Sequence, residues 1–245
     1  MKFLKWVIGI ILVFIIALFI LVKIASEDRP ESNPTPEADV VANRMLETIG
    51  KPQWDSLHLL RWTFMGEHHY VWNKKQNIAE IKWDSHRVIL DLNTLEAKAW
   101  TNEESQSGEV LAALKQTAWE YWCNDSFWMF APFKVFDPGT SRTLINEVEH
   151  GTQGLLVTYD SGGVTPGDAY LWHLDDDFRP VGYKMWVKII PVGGLYIAWS
   201  DWVTLNEGIQ LAQIRKGSML TLKMDNLKAG ENYKDLGLDG DPFSY

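Results

Sequence analysis

The chain has 245 residues, 46% of them hydrophobic, which is enough to bury a core in one large domain or two small ones without disulfides. Residues 27–245 carry 20 Lys and Arg against 32 Asp and Glu, a net charge of −12, and a surface of that charge repels nucleic acid and the anionic head groups of a membrane surface. This balance argues against a nucleic-acid partner, and the single Cys123 cannot form an intramolecular disulfide.

The N-terminus begins with a long apolar run. The run is unbroken over residues 6–22, with Lys2 and Lys5 before it and Lys23 after it. With its apolar neighbours it reaches the roughly 20 residues that a helix needs to cross hydrocarbon, and no clear small-x-small cleavage site follows. Residues 1–26 are therefore predicted to be one transmembrane signal-anchor, with a cytoplasmic N-terminus by the positive-inside tendency.

Two short segments separate this anchor from the main domain. Residues 27–37 hold three prolines among charged and small polar residues, a composition typical of an extended linker. Residues 38–49 carry apolar side chains at helical spacing, and the sequence Gly50-Lys51-Pro52 ends that pattern. We expect a short amphipathic helix to open an extracytoplasmic β-rich domain over residues 38–245.

Residues 57–100 show a β pattern. Apolar and aromatic runs of five to eight residues are broken at 65–67, 74–77, 84–85 and 93–94. In one run Val88, Leu90 and Leu92 alternate with less apolar residues, as in a strand with one apolar face. The short breaks predict a meander of about five antiparallel strands.

The middle of the chain joins a helical pattern to an aromatic segment. Residues 108–121 carry an apolar stripe at helical spacing, which predicts a helix lying across the sheet. Residues 126–139 then contain four Phe and one Trp, with Pro132 and Pro138 arguing against a regular helix or central strand. Two interpretations of this segment stay open: a connector in the core, or a lid over an apolar ligand site.

After Gly139 the β pattern resumes. Seven further strands are predicted at 144–149, 155–159, 169–174, 181–190, 195–205, 209–215 and 219–224, and residues 235–245 are expected to form a peripheral cover. About twelve strands and one inserted helix define the expected fold class. It is mainly β (α+β): a large curled antiparallel sheet or incomplete β-barrel with a covering helix, preceded by one N-terminal transmembrane helix.

The order of these elements resembles the lipoprotein-carrier family (LolA/LolB-like), in which helices cover an incomplete β-barrel. The resemblance covers residues 38–224. Separately, FWMFAPFKVFDPG at 127–139 and GGVTPGDAYLW at 162–172 are similar to blocks in uncharacterised bacterial envelope proteins. The carrier resemblance implies an apolar cavity for acyl chains and a bacterial origin. Together with the predicted anchor, it predicts a single-pass inner-membrane protein with its C-terminal domain in the periplasm or outside. A retained anchor suits a fixed binding station better than a released carrier.

Few residues indicate catalysis or metal binding. His68 and His69 are adjacent, so on a strand they face opposite sides and at most one can share a site with a given partner. The acidic clusters at 175–177 and 235–241 lack the register of a calcium loop, and no Gly-x-Ser-x-Gly motif is present. The sequence therefore assigns no catalytic residue, metal ligand or cofactor.

Twelve of the 13 tryptophans lie outside the anchor. An indole needs room for its apolar body and a partner for its N–H group, so this excess favours a cavity or apolar interface over a plain filled sandwich. The candidate cavity or lid residues are Phe127, Phe130, Phe133, Phe136, Trp62, Trp72, Trp83, Trp172, Trp186 and Trp199.

The function favoured by these observations is non-catalytic binding of a lipid or other apolar envelope ligand by a membrane-anchored protein. Two alternatives stay open. One is an interaction module of the cell envelope that presents the aromatic segment to a protein partner. The other is an envelope hydrolase that uses His68 or His69 together with an acidic residue.

Overall fold

The structure is a computed structural model, and it describes residues 2–161, 166–205 and 208–244. The helices are α1 Lys2–Ala25, α2 Pro36–Thr48, α3 Lys51–Ser56 and α4 Gly108–Phe130, with a short 3₁₀ helix at Ala131–Lys134 after α4. The strands are β1 Leu59–Phe64, β2 His68–Asn73, β3 Ile78–Trp83, β4 His86–Asp91, β5 Ala97–Thr101, β6 Glu104–Ser105, β7 Thr140–Ile145, β8 Gln153–Tyr159, β9 Asp168–Leu174, β10 Pro180–Trp186, β11 Leu195–Leu205, β12 Ile209–Lys216 and β13 Thr221–Gly230.

These thirteen strands form one open antiparallel sheet. Their order is β6-β5-β4-β3-β2-β1-β13-β12-β11-β10-β9-β8-β7, so the first and last strands of the chain meet in the middle. Leu60 on β1 lies opposite Trp72 on one side and opposite Ala229 on the other. The chain passes from one outer strand, β6, to the other, β7, by way of α4 and the 3₁₀ helix.

The hairpins of the first half follow from their turn residues. Gly66, Asn77 and Asp84 adopt positive φ values of 76°, 56° and 46°, a conformation that glycine, Asn and Asp tolerate best. Each lies at a break in the apolar pattern, so the chain reverses there and neighbouring runs pair as antiparallel strands. The five strands predicted between residues 57 and 100 are confirmed.

The second half also matches in strand number, with shifted bounds. The strand predicted at 144–149 is β7 at Thr140–Ile145, and the strand predicted at 181–190 ends at Trp186. Ile189, which lies inside that predicted strand, is instead in a turn and is 75% exposed. The structure has one strand more than the twelve predicted. This additional strand is β6, whose two residues are too few to form an apolar pattern in the sequence. The predicted glycine turn at 162–163 lies outside the described residues.

Helix α4 is longer than predicted. Its apolar pattern indicated a helix over 108–121, but it extends to Phe130, so the prediction that the segment from 126 is not helical was wrong for its first five residues. Pro132 lies in the first turn of the 3₁₀ helix, where its missing N–H group is not needed. The proline therefore ends α4 only after Phe130.

α4 lies on one face of the sheet, which we call the inner face; the opposite face is the outer face. It contacts β4 and β5 in one half of the sheet and β12 in the other. The largest apolar core forms between α4, α2, α3 and the inner face, and includes the buried side chains of Trp62, Ile81, Trp122 and Met129. A single helix thus packs against both halves of the sheet.

The outer face is partly covered by the C-terminal residues and the linker. Leu236 is fully buried against Leu59 and Val71, which confirms the predicted peripheral cover. In the linker, the backbone N–H of Glu27 donates to the carbonyl of Gly193 at 3.0 Å. The Nζ atom of Lys184 donates to the Glu27 carboxylate at 2.7 Å, so the start of the linker is fixed against the sheet.

Helix α1 is continuous over 24 residues, and several of its apolar side chains, including Trp6 and Phe14, are exposed. Within the described ranges, no helix meets both the length and the apolar content that mark a candidate membrane span.

Candidate functional site

The inner face of β8 to β11 carries a group of large aromatic side chains. We call this group the aromatic cluster and define it as Tyr159, Tyr170, Trp172, Tyr183 and Trp199. Tyr183 lies opposite Trp172 in the register of β10 and β9. The ring centroids of Trp172 lie 5.0 Å from both Tyr183 and Trp199, and Tyr170 lies 5.2 Å from Tyr183. Alternation along each strand therefore brings these residues to one continuous surface.

The last turns of α4 cover this cluster. The ring of Phe127 lies 4.8 Å from Tyr170 and 5.9 Å from Tyr159. The indole of Trp128 lies 5.9 Å from the ring of Tyr183. Both Phe127 and Trp128 are half-buried, so they pack on the cluster from one side.

A fully buried cation lies beside the cluster. Arg215 on β12 is 0% exposed, and its guanidinium carbon lies 3.5 Å from the ring centre of Trp199. Its Nε atom donates to the carbonyl of Trp128 at 2.9 Å, and Nη2 donates to the carbonyl of Met129 at 3.3 Å. These carbonyls belong to the C-terminal end of α4, where backbone acceptors lack helical partners and the helix dipole is negative. Arg215 therefore holds the end of α4 on the sheet.

The charge of Arg215 has no carboxylate partner among the described residues, since its hydrogen bonds all go to backbone carbonyls. Burial lowers the pKa of Arg215 from 12.5 to about 9. The guanidinium is still mainly charged at neutral pH. A buried charge without a full countercharge is uncommon in a folded protein and calls for an explanation.

Four polar atoms of the cluster are buried without a hydrogen-bond partner among the described residues. They are the hydroxyls of Tyr159 and Tyr183 and the Nε1 atoms of Trp172 and Trp199. Burial raises the pKa of both tyrosines well above 10, so each hydroxyl keeps its proton. An unsatisfied buried donor costs about 1–3 kcal/mol, and native proteins contain few of them. Four in one cluster mark a place where the chain alone does not complete its hydrogen bonding.

A second polar arrangement lies between β2 and α4. The Oδ2 atom of Asp125, which is 1% exposed, accepts from the Tyr70 hydroxyl at 2.5 Å and lies 2.7 Å from Nδ1 of His68. The His68 ring stacks on Tyr121 with 3.9 Å between ring centroids. Because an ionised carboxylate only accepts hydrogen bonds, Nδ1 carries the proton and Nε2 is left to act on another group.

His68 and His69 are adjacent on β2 and face opposite sides of the sheet, as predicted. His69 points to the outer face, where its Nδ1 atom lies 3.0 Å from the Thr63 hydroxyl. On that face a cavity of about 570 Å³ is lined by His69, Glu80 and ten other residues. Glu80 is buried and pairs with Arg87 at 2.6 Å and with Lys82 at 3.2 Å. Within this cavity the Glu80 carboxylate is therefore paired with two basic side chains.

Other titratable groups form no evident reactive site. The rings of His150 and His173 lie 5.7 Å apart, but no group of three or more His, Cys, Asp or Glu in the described ranges could hold a metal ion. Burial raises the pKa of Cys123 to about 11, so this thiol is protonated at neutral pH and is a poor nucleophile.

The residues singled out from the sequence do not form one site: they lie in two groups and at three separate positions. Trp172 and Trp199 belong to the aromatic cluster, and Phe127 covers it. A second group forms around Trp54 at the end of α3, and its other members are Trp62, Trp72, Phe130 and Phe133.

Three predicted residues lie apart from both groups. Trp83 contacts Tyr121 at 5.5 Å, near His68. Trp186 lies on the outer face, where its Nε1 atom donates to the carbonyl of Glu27 at 2.8 Å. Phe136 is 39% exposed and packs on the guanidinium of Arg142.

Sequence reasoning did not find Arg215, Tyr183 or Asp125 as site residues. Arg215 ends a predicted strand, a position typical of solvated basic residues, and only its register opposite Trp199 turns it inward. Tyr183 lies in a predicted strand, but its neighbours come from other strands. Asp125 lies in a part of α4 that was not predicted to be helical.

The protein is of the mainly β class. Its described residues form an open thirteen-stranded sheet with one long helix on the inner face. The interior combines apolar walls with polar groups that have no hydrogen-bond partner among those residues. No family model matches the chain, and no curated protein matches it.

Among solved structures the chain is similar to a DUF1329 family protein from Desulfovibrio piger ATCC 29098, for which there is a crystal structure at 1.75 Å resolution. The TM-score is 0.43 and the sequence identity 11%, over 81% of this chain and 94% of that chain.

Proposed function

We propose that this protein binds a lipid or other apolar envelope ligand at the aromatic cluster, without catalysis. The observation that carries the proposal is a set of four buried donors in one apolar site, on Tyr159, Trp172, Tyr183 and Trp199, that have no hydrogen-bond partner among the described residues. A core that only has to be stable avoids such groups. A ligand with an apolar body and a hydrogen-bond acceptor would satisfy both the aromatic walls and the donors.

The end of α4 supports this proposal because it has the arrangement of a cover. Phe127 and Trp128 are half-buried and pack on the cluster from one side. Phe130 and Phe133 are each 6% exposed and fix the following turn against Trp54. Because Phe130 and Phe133 are buried, they are not available for contact with a protein partner.

Native mass spectrometry of the full chain, purified in a mild detergent, tests the proposal. We expect a fraction of molecules to carry one bound amphiphile of defined mass. The variant Phe127→Ala should lower this fraction at least fivefold, while Phe136→Ala, which alters an aromatic residue away from the cluster, should leave it unchanged. An empty chain in every preparation, with the fold intact and no uptake of added lipid, would refute ligand binding.

We further propose that residues 1–26 anchor the protein in a bacterial inner membrane, with the β-rich domain in the periplasm or outside. The support is the apolar run at 6–22 with lysines before it. Protease added to spheroplasts should digest the domain and leave a short anchor fragment, whereas full protection would reverse the topology.

We also propose that the fold is similar to that of the lipoprotein carriers. This similarity is supported by the order of elements and by a helix lying on one face of an open antiparallel sheet. An incomplete β-barrel of that kind would hold an acyl chain between the sheet and α4, which is where the aromatic cluster lies.

A second candidate function is an envelope hydrolase that uses His68. The specific observation in its favour is the buried carboxylate of Asp125, 2.7 Å from Nδ1 of His68, because such a carboxylate orients an imidazole as a general base. Hydrolysis of acyl-ester substrates by the full chain should then disappear in His68→Gln. His69→Gln is the matched control, since that ring faces the other side of the sheet. Equal turnover in both variants would eliminate this candidate.

A further inference from the structure

The buried charge of Arg215 limits the chemistry of any ligand at the aromatic cluster. Its countercharge among the described residues is the C-terminal end of α4, which carries roughly half a negative elementary charge. No carboxylate among the described residues balances the rest of this charge, and Arg215 has no exposed surface. A negatively charged ligand group would complete the balance, and a cationic one would worsen it.

Hydrogen-bonding capacity points the same way. The indole N–H groups of Trp172 and Trp199 can only donate, and the protonated hydroxyl of Tyr183 has its proton to donate. The guanidinium has five N–H groups, and four of its hydrogen bonds go to backbone carbonyls, which leaves capacity for one more. The unfilled positions are thus mainly donors, and an anion with several acceptor oxygens is their complement.

The surrounding walls are apolar and aromatic, so they offer contacts to an apolar chain that a small free anion cannot make. Phe127 and Trp128 of α4 pack on the rings of Tyr170 and Tyr183 in the cluster. Such walls favour an alkyl chain by about 0.8 kcal/mol for each buried CH₂ group. An apolar chain that carries one charged head is the ligand that fits both parts.

We propose that the ligand is an amphiphile with one anionic head group, a carboxylate or a phosphate, bound against Arg215 and Tyr183. This inference rests on the proposed ligand-binding function and specifies the chemistry of that same site. The head group accepts from the Tyr183 hydroxyl and from the free guanidinium N–H, and the alkyl chain lies among the rings under Phe127.

The test compares dodecanoate, dodecyl phosphate and dodecanol, which share a chain and differ in the head group. Their dissociation constants for the full chain are measured by calorimetry at one fixed detergent concentration. We expect at least one of the two anions to bind at least tenfold more tightly than dodecanol, and the tighter of the two identifies a carboxylate or a phosphate source.

Tyr183→Phe should weaken the binding of the tighter anion about 10- to 100-fold, which corresponds to the loss of one hydrogen bond to a charged group. The affinity for dodecanol should change less than threefold. Tyr70→Phe, which removes a hydroxyl on β2, should change neither ligand. If Tyr183→Phe does not fold, Trp199→Phe removes a donor N–H from the same cluster and is measured instead.

The outcomes separate the two levels of the proposal. Equal affinities for dodecanol and both anions, or equal effects of Tyr183→Phe on all three ligands, would overturn the anionic head group and leave apolar binding intact. Failure of all three ligands to bind a folded chain would overturn the proposed function itself.

Discussion

The state of the Tyr183 hydroxyl can be tested by comparing two tyrosine-to-phenylalanine substitutions. The hydroxyl of Tyr70 donates to the buried Asp125 carboxylate at 2.5 Å, whereas the hydroxyl of Tyr183 has no partner among the described residues. Both side chains are buried and both changes delete a single oxygen. The difference in unfolding free energy therefore reports the hydrogen bonding of the two hydroxyls.

For Tyr70→Phe we expect a loss of about 1.5–3 kcal/mol, the usual contribution of a hydrogen bond to a charged group. For Tyr183→Phe we expect no loss, and a gain of up to about 1–3 kcal/mol, because the variant no longer buries an unsatisfied hydroxyl. Both values are measured by urea unfolding of the ligand-free full chain with linear extrapolation. A loss above about 1 kcal/mol for Tyr183→Phe would refute the claim that this site is incomplete without a ligand.

Two further predictions concern the aromatic segment and the dependence on pH. Phe133→Ala should lower the unfolding free energy by about 3–5 kcal/mol because Phe133 is buried on Trp54. Phe136→Ala, at an exposed ring, should lower it by less than about 1 kcal/mol. Similar losses in the two variants would show that both rings have the same role. Burial lowers the folded-state pKa of His173 and His69 below 6.5, so their contribution to stability is complete above about pH 6.5 and declines as the pH falls below it. In urea unfolding measured between pH 7.5 and 5.5, the variant His173→Gln should therefore lose less stability than the unaltered protein. An equal loss in both proteins would contradict this assignment.

Much of the sheet could be predicted because its hairpins are specified locally. Asn77 and Asp84 lie at breaks in the apolar pattern, and each adopts the left-handed conformation that a tight turn needs. The same local logic missed the end of α4, since the sequence shows Pro132 but does not show whether the helix ends before or after the aromatic residues. Only the packing of Phe130 on Trp54 and Trp72 decides this in favour of the helix.

The candidate site could be predicted only in part because it depends on register between distant segments. Tyr183 and Arg215 come from β10 and β12, and Trp199 on the intervening strand lies directly opposite Arg215. A shift of one residue in the pairing of β11 with β12 would turn Arg215 outward. The excess of tryptophan indicated an unusual interior, but the position of the fully buried Arg215 follows only from the pairing.

Photoaffinity labelling tests the central claim most directly. A fatty acid with a diazirine on its chain is irradiated with the full chain in detergent, and the labelled peptides are mapped by mass spectrometry. We predict labels on the peptides that contain Phe127 and Tyr170, lost when excess dodecanoate is added, together with uncompeted labels on the apolar N-terminal residues that serve as an internal control. Labels confined to the N-terminal residues, or labels near Phe127 that dodecanoate does not displace, would contradict a ligand site beneath α4.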